Sequence, residues 1–596
     1  MARYGILSIA GKEQTEKVMK VALGEEYADL AIINGTILNV YTGELLKGHS
    51  VTSKGEWIAY VGDDSRDSIG PSTQVIDARG KTVVPGLIDG HTHLADAFYT
   101  VSEFLKYAMT GGTTTIITET IEPFSAMGPE GIVDFMDSIT EQPIKIYATV
   151  SPLVSTNKKV RGISTEALKE LLTRDEVVGL GEAYWQGVIQ EPDRYLPIFE
   201  QALEGGARLE GHSAGAKGEK LMAYLVPGIS SCHEPINASE VLERLRLGMR
   251  VMVREGSIRG DLAAISKIKD AGVDLRRLIL VSDGIKPVDL MKKGYMEWIV
   301  QEAIRCGFDP IQAIQMATIN VADHFRLDGI IGGIAPGKYA DMLIIPSPKT
   351  VKAEYVISKG RIIAREGKLL VSPRKHAFSA QSMKSVHLSR ALEPVDFSIP
   401  VKEEVSQVKV RVIEQVTDLV TKESIVSVPI VEGQIRSNVT KDILKVAAID
   451  RRFDPGKIFV GLIRGFRLKN GALASTTAWD TPDIIVVGEN DADMAGAVNR
   501  VHALQGGIVI FANGDLIAEV PLPIFGLIAD MPMSALVQRI EEIKRAVKEL
   551  GVPFDDPLLT LMTLTCAAIP FLRICDEGLV DLKDGKTMSL IVPKKP

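Results

Sequence analysis

The chain has 596 residues, room for several domains, and its 45% apolar and 24% charged residues are an ordinary soluble composition. With 68 basic against 76 acidic side chains, the formal charge is −8, which argues against nucleic acid or anionic membrane as the main partner, since both need a cationic surface. Cys232, Cys306, Cys566 and Cys575 show no CxxC spacing, so neither a disulfide framework nor a cysteine zinc knuckle is indicated.

The opening MARYGILSIAGKEQTEK meets Lys and Glu too early for a secretory signal, and no apolar run reaches membrane-spanning length. A cytoplasmic protein is expected. Residues 13–24 read as a short amphipathic helix. The segment 29-DLAIINGTILNVYTGE-44 and two further short apolar runs read as a small antiparallel β-unit, residues 1–82. From Val83 the rhythm changes. Eight short apolar runs follow: VVPGLID, GTTTIIT, IKIYATV, VVGLGEA, RLEGH, GISSCHE, RVMVREG and LILVSD. Helical stretches fill most gaps, which is the size and order of a βα barrel over residues 83–338. An open doubly wound sheet is the alternative that the site residues argue against. β-Character returns over 339–370, as if the barrel were inserted into the first β-unit. Residues 371–400, rich in Ser, Lys and Pro, read as a linker. Residues 401–596 read as a C-terminal α/β domain with an Asn513-Gly514 turn. The expected fold class is therefore α/β: a TIM-like (β/α)8 barrel inserted in a small β-sandwich, plus that α/β domain.

Of nine histidines, four sit at the C-terminal ends of strand candidates: His91 and His93 on the first, His212 on the fifth, His233 on the sixth. Glu182 ends the fourth and Asp283 the eighth. In a barrel these ends converge on the face where active sites are built. Residues i and i+2 of a strand point the same way, so His91 and His93 can grip one ion from one edge. Imidazole and carboxylate without thiolate suit Zn, Mn or Fe(II). Six donors exceed what one open catalytic ion needs, so two divalent ions bridged by Glu182 are expected. Such a pair activates water. Asp283 can both bind metal and accept a proton. His324 is expected on a helix face. His49, His376, His387 and His502 are expected at the surface or in local hydrogen bonds, and Cys232 as a small buried neighbour of His233.

These residues resemble the amidohydrolase superfamily: PGLIDGHTH is similar to its first-strand signature, and MATINVADHFRLDGIIGGIAPGKYADMLII to its return from barrel to sandwich. Within it the chain is similar to the adenine deaminase family over nearly its whole length, through GLGEAYWQGVI, GHSAG, ERLRLGMRVMVREGS, IIVVGENDADMAGAVNRV and EVPLPIFGL. The resemblance implies a binuclear Mn/Fe-type centre, with Zn a further option, held by His91, His93, Glu182, His212, His233 and Asp283. It implies metal-hydroxide attack on C6 of adenine, giving hypoxanthine and ammonia. A nearby acid would protonate N1 and then the leaving amine; Glu119, Glu122, Glu234 and Glu255 stay open for that role. Arg254, Glu255, Ser257, Trp185 and Trp479 would contact the substrate, with a capping cluster the alternative at Gly256-Ser257. A nucleobase substrate in purine salvage and a homodimer are the implied partners.

Three stretches depart from the family pattern. Ala95-Asp96-Ala97 stands where Glu-Ser-Ser is usual, Glu119-Thr120-Ile121-Glu122 where Asp-Pro-His-Glu is usual, and Trp479-Asp480-Thr481-Pro482-Asp483 where His-Asp-Ser-His-Asn is usual. Loss of polar donors at Ile121, Trp479 and Pro482 can redirect selectivity. A hydrolase of another aminated heterocycle or cyclic amide is thus the second reading. A non-catalytic scaffold is the third, and it is disfavoured because all six donors are present.

Overall fold

The computed structural model describes residues 5–63, 65–153, 155–402, 405–569 and 571–593. The eight barrel strands are Leu87–Thr92, Thr113–Glu119, Lys145–Val150, Val177–Tyr184, Arg208–His212, Ser231–Cys232, Arg250–Arg254 and Leu278–Val281. The first five pair in parallel in chain order, and so do the last three. The two sheets meet at both seams: Ser230 N–H donates to Leu209 O at 2.9 Å, and Asp283 N–H to His91 O at 3.1 Å. Most of these strands are buried along their length, so they read as continuous apolar runs rather than alternating ones.

The run Val83–Ile88, expected as a single buried strand, is divided. Thr82–Pro85 belongs to another sheet, and the barrel begins only at Leu87. Gly86 makes the crossing possible: a Cβ there would stand 2.1 Å from Thr114 Oγ1. The other sheet has nine strands and joins both ends of the barrel. Thr82–Pro85 lies between Leu30–Asn39 and Met342–Ile345. Tyr355–Ser358, Arg361–Arg365 and Lys368–Leu369 extend it on the far side. The N-terminal stretch Ile6–Ala22 is helical but broken at Gly11 (φ 73°, ψ 179°), and the part after the break begins close to where the apolar spacing puts the helix.

Two Asn-Gly pairs behave differently. Asn513-Gly514 turns between Gly507–Ala512 and Asp515–Pro521 with positive φ at both residues, as a tight hairpin requires. Asn34-Gly35 stays inside the strand Leu30–Asn39 as a bulge, where register against Glu44–Lys54 shifts. Long strands paired on both sides of the bulge override the local turn preference.

The stretch read as a linker is bound to its surroundings. Arg374 donates to Thr140 O, His376 Nε2 lies 2.8 Å from Asp134 Oδ1, and Val386 and Phe397 are fully buried. The C-terminal region is built on an eight-stranded sheet with helices Asp491–Ala503 and Met533–Glu549 and a small sheet beginning at Leu572. No helix among the described residues is long and apolar enough to cross a membrane.

Candidate metal centre and the cavity above it

Each donor reaches the barrel rim for a local reason. His91 lies in the first strand, and its N–H is held by Asp89 Oδ1 at 3.1 Å. Asp89 also takes the Ser282 N–H at 3.3 Å and the Tyr295 hydroxyl, so one buried carboxylate ties the first strand to the eighth. Asp283 follows the eighth strand with φ 55°, a left-handed conformation that Asp tolerates better than most residues. Gly181, next to Glu182, has to be glycine: a Cβ there would stand 2.0 Å from Glu119 Oε2. Asp89 escaped the sequence reading although it lies within PGLIDGHTH, because a buried carboxylate two residues before a ligand resembles a turn residue.

The six expected donors converge. Glu182 Oε1 is 3.0 Å from Nε2 of both His91 and His93, and 3.4 Å from His233 Nε2. Asp283 Oδ1 is 3.3 Å from His91 Nε2 and 3.6 Å from His93 Nε2. His212 and His233 each place Nε2 3.3 Å from Glu234 Oε1. Two groups therefore can each hold an ion: His91, Glu182, His233 and Asp283, and beside it His212, His233 and Glu234. Ligands on one ion with bonds of about 2.1 Å stand about 3.0–3.4 Å apart, which is the spacing found. His91 Nε2 is buried without a hydrogen bond despite its two carboxylate neighbours, an orphan that an ion would satisfy.

The charges agree. Burial opposes the anionic forms of Glu182 and Asp283, but the imidazoles around them, and Arg254 at Asp283, outweigh it and hold both well below the usual carboxylate range. Burial likewise opposes protonation of His91, yet Asp283 and Glu182 lift it to about 10; His93 rises too. His233 is pushed down to about 3 by burial and by His91. Without a cation the two carboxylates draw protons onto imidazole, and a divalent ion is the alternative counter-charge. The residues present fit the metal.

Above the donors lies a cavity of about 210 Å³, enough to admit a small ring system. Its floor is the barrel rim. Its roof comes from the C-terminal region: Leu419, Val420, Trp479, Leu527 and Ile569. Two neighbouring roof residues grip the barrel. Trp479 Nε1 donates to Asp96 Oδ1 at 3.1 Å, and Asp480 Oδ1 accepts the Tyr184 hydroxyl at 2.9 Å. Tyr184 packs edge-on against His212, with ring centres 4.8 Å apart. Asp480 has its pKa raised to about 6 by burial.

The other expected residues are distributed as follows. Glu122, Glu234, Arg254 and Trp479 line the cavity. Glu122 Oε1 is 2.6 Å from His93 Nδ1, and Arg254 binds Glu234, Asp261 and Asp283. Glu119 does not line the cavity; it lies behind His91, its Oε1 3.7 Å from Nδ1. Glu255, Ser257 and Trp185 also lie outside the lining. Ser257 Oγ donates to Asp289 at 2.6 Å and accepts from Lys286 N–H at 2.8 Å, tying its loop to the helix Pro287–Lys293 without capping it. Trp185 Nε1 donates to Ala214 O at 2.8 Å. Pro482 is outside as well, its carbonyl taken by Arg451. His324 is fully buried against Glu210 rather than on an open helix face. Cys232 is buried with Sγ 2.8 Å from Ser213 Oγ. Asp96, Ser125, Tyr184 and Asp480 line the cavity and were not anticipated; the signal for Tyr184 was its place two residues after Glu182, on the same face of the strand.

Comparison with known proteins bears on both halves of this cavity. The Amidohydrolase family pattern matches residues 82–363, and that of the Adenine deaminase C-terminal domain matches residues 418–586. An adenine deaminase of Moorella thermoacetica is 37% identical over 97% of this chain and 98% of its own. One of Clostridium botulinum is 34% identical with the same coverage, and one of Cenarchaeum symbiosum is 34% identical over 95% of this chain and 93% of its own. With floor and roof matched separately and the relatives matched end to end, the chain belongs to the adenine deaminase family of amidohydrolases.

Proposed function

We propose that this protein is a metal-dependent hydrolase that converts adenine and water to hypoxanthine and ammonia. The observation that carries the reading is the cluster of His, Glu and Asp donors at the floor of the cavity, supported by similarity to adenine deaminases along the whole chain. His91, Glu182, His233 and Asp283, with His93 beside Glu182, would hold one divalent ion, and His212 and His233 with the neighbouring Glu234 would hold a second. Mn and Fe are our assignment, with Zn compatible with the same donors. Such ions supply a water acidic enough to be deprotonated near neutral pH.

The chain's own groups do the rest. Asp283, kept ionised by Arg254 and the surrounding imidazoles, takes a proton from the attacking water. Of the four candidate acids, Glu122 and Glu234 line the cavity. Glu234 has its negative charge held by Arg254 against the cost of burial, so it is a poor donor. Glu122 keeps Oε2 without a partner and is our assignment for proton delivery to N1 and then to the departing amine. The roof excludes bulk water. The test is ammonia release from adenine by metal-loaded protein; no turnover above the metal-free background, with metal shown bound, overturns the reading.

A second reading, another aminated heterocycle or a cyclic amide, draws on one observation. Asp96, Ile121 and Trp479, one from each departing stretch, all line this cavity. A panel of purines, pterins, pyrimidines and hydantoins decides between them, and adenine as the only good substrate ends it.

A further inference from the structure

Most polar groups facing the cavity are already engaged. Arg254 is held by three carboxylates, and Asp480 by the Tyr184 hydroxyl and the Ala567 N–H. Arg451 donates to Pro482 O, Ser385 and Phe525 O. The histidines, Glu182 and Asp283 face one another. Apart from Glu122 Oε2, assigned above to proton delivery, two groups on the side of the first and second barrel strands are different. Asp96 gives one carboxylate oxygen to Trp479 Nε1, and no donor among the described residues reaches the other. Ser125, on the helix Ile121–Met127 that follows the second strand, is 4% exposed, and its Oγ is buried with no hydrogen-bond partner. Ser125 Oγ, buried and unpaired in the cavity wall, is costly unless a ligand satisfies it, and the half-buried Asp96 keeps one oxygen available to a ligand.

An ionised carboxylate accepts and a hydroxyl can donate; burial and the neighbouring Glu122 raise the Asp96 carboxyl to about 8, so its full acceptor strength is expected above that pH. On adenine, the edge away from the amine presents N9–H, a donor, beside N3, an acceptor. We propose that Asp96 and Ser125 read this edge: Asp96 accepts the N9–H, and Ser125 donates to N3. Trp479 serves by fixing the Asp96 carboxylate through its indole N–H. The inference rests on the deaminase reading and deepens it, since it makes the substrate a free base. A carbon at N9 removes the donor, leaves Asp96 unsatisfied and adds bulk to a cavity of about 210 Å³.

The experiment compares adenine, 9-methyladenine and 3-deazaadenine with wild type, Asp96→Ala, Asp96→Asn and Ser125→Ala. Equilibrium binding and kcat/KM are measured, with metal content and circular dichroism on every variant. Wild type is expected to prefer adenine over 9-methyladenine, and both Asp96 variants to shrink that preference about 10- to 100-fold, through adenine. Ser125→Ala is expected to weaken adenine but not 3-deazaadenine. Unchanged preference in both Asp96 variants at wild-type metal content overturns the proposal, as does equal weakening of all three bases. Asp96→Asn keeps the side chain's shape and serves should Asp96→Ala fold poorly. Binding preference is read without turnover, so a protein that discriminates the bases yet releases no ammonia counts against the deaminase reading and not against this wall.

Discussion

The floor and roof of the cavity are made by opposite rules. The floor, at the barrel rim, consists of charged groups so close that each fixes its neighbour: Glu182 alone meets three imidazoles within 3.4 Å. The roof is mainly apolar, and over the cavity two of its polar contacts with the barrel are Trp479 to Asp96 and Asp480 to Tyr184. At the floor one carboxylate oxygen serves several imidazoles, so a change of donor type there would disturb them all, whereas the roof contributes mainly shape. The departing stretches do not follow that division: Asp96 and Ile121 line the cavity from the barrel side and Trp479 from the roof, while all six expected donors are present.

The sharpest way to break the comparison is at the floor. Asp283→Asn is expected to lower kcat about 10²- to 10⁴-fold while the fold and part of the metal are retained, read by steady-state ammonia release and metal analysis. Near-wild-type turnover would remove Asp283 from its role. Chelation is expected to abolish activity and Mn or Fe to restore it. Metal affinity should also fall on acidification, because His91, whose pKa lies at about 10 in the metal-free site, and His93 must lose protons to bind. The measurement is a metal titration across pH; affinity that rises as pH falls would contradict the ligand assignment.

Changes at the roof should move ratios rather than rates. Trp479→Phe keeps the ring but removes the N–H that fixes Asp96, and about a 3- to 10-fold change in relative kcat/KM across a purine panel is expected. Unchanged ratios would separate the roof from recognition. Tyr184→Phe severs the second contact and is expected to cost about 1 kcal/mol of stability, seen as a lower denaturation midpoint. A further effect lies away from the site. Burial raises the Glu297 carboxyl from 4.5 to about 7. A raised carboxylate favours the folded state below its unfolded pKa, and that stability is lost as pH rises through the folded value. Glu297→Gln should therefore gain on wild type mainly above pH 7, checked by denaturant unfolding at pH 5 and pH 8.

The primary structure alone determined much of the floor. Strand ends carry their donors wherever the strands close into a barrel, and apolar runs of five to seven residues separated by helices leave few other closures. His91, His93, Glu182, His212, His233 and Asp283 were therefore legible as a set before any distance was known. Local pattern could not decide where the run from Val83 is cut, because Gly86 matters only through Thr114, a residue of the neighbouring strand. Nor could it separate Glu119 from Glu122, three residues apart, one behind His91 and the other facing the cavity. The pairing of Asp96 with Trp479 joins positions 383 residues apart, and Asp480 with Tyr184 joins positions 296 apart. A contact between remote segments leaves no periodicity in either of them. Which side chains chemistry requires is a property of the strand ends; which of them the substrate meets was decided by how the C-terminal region docks onto the barrel.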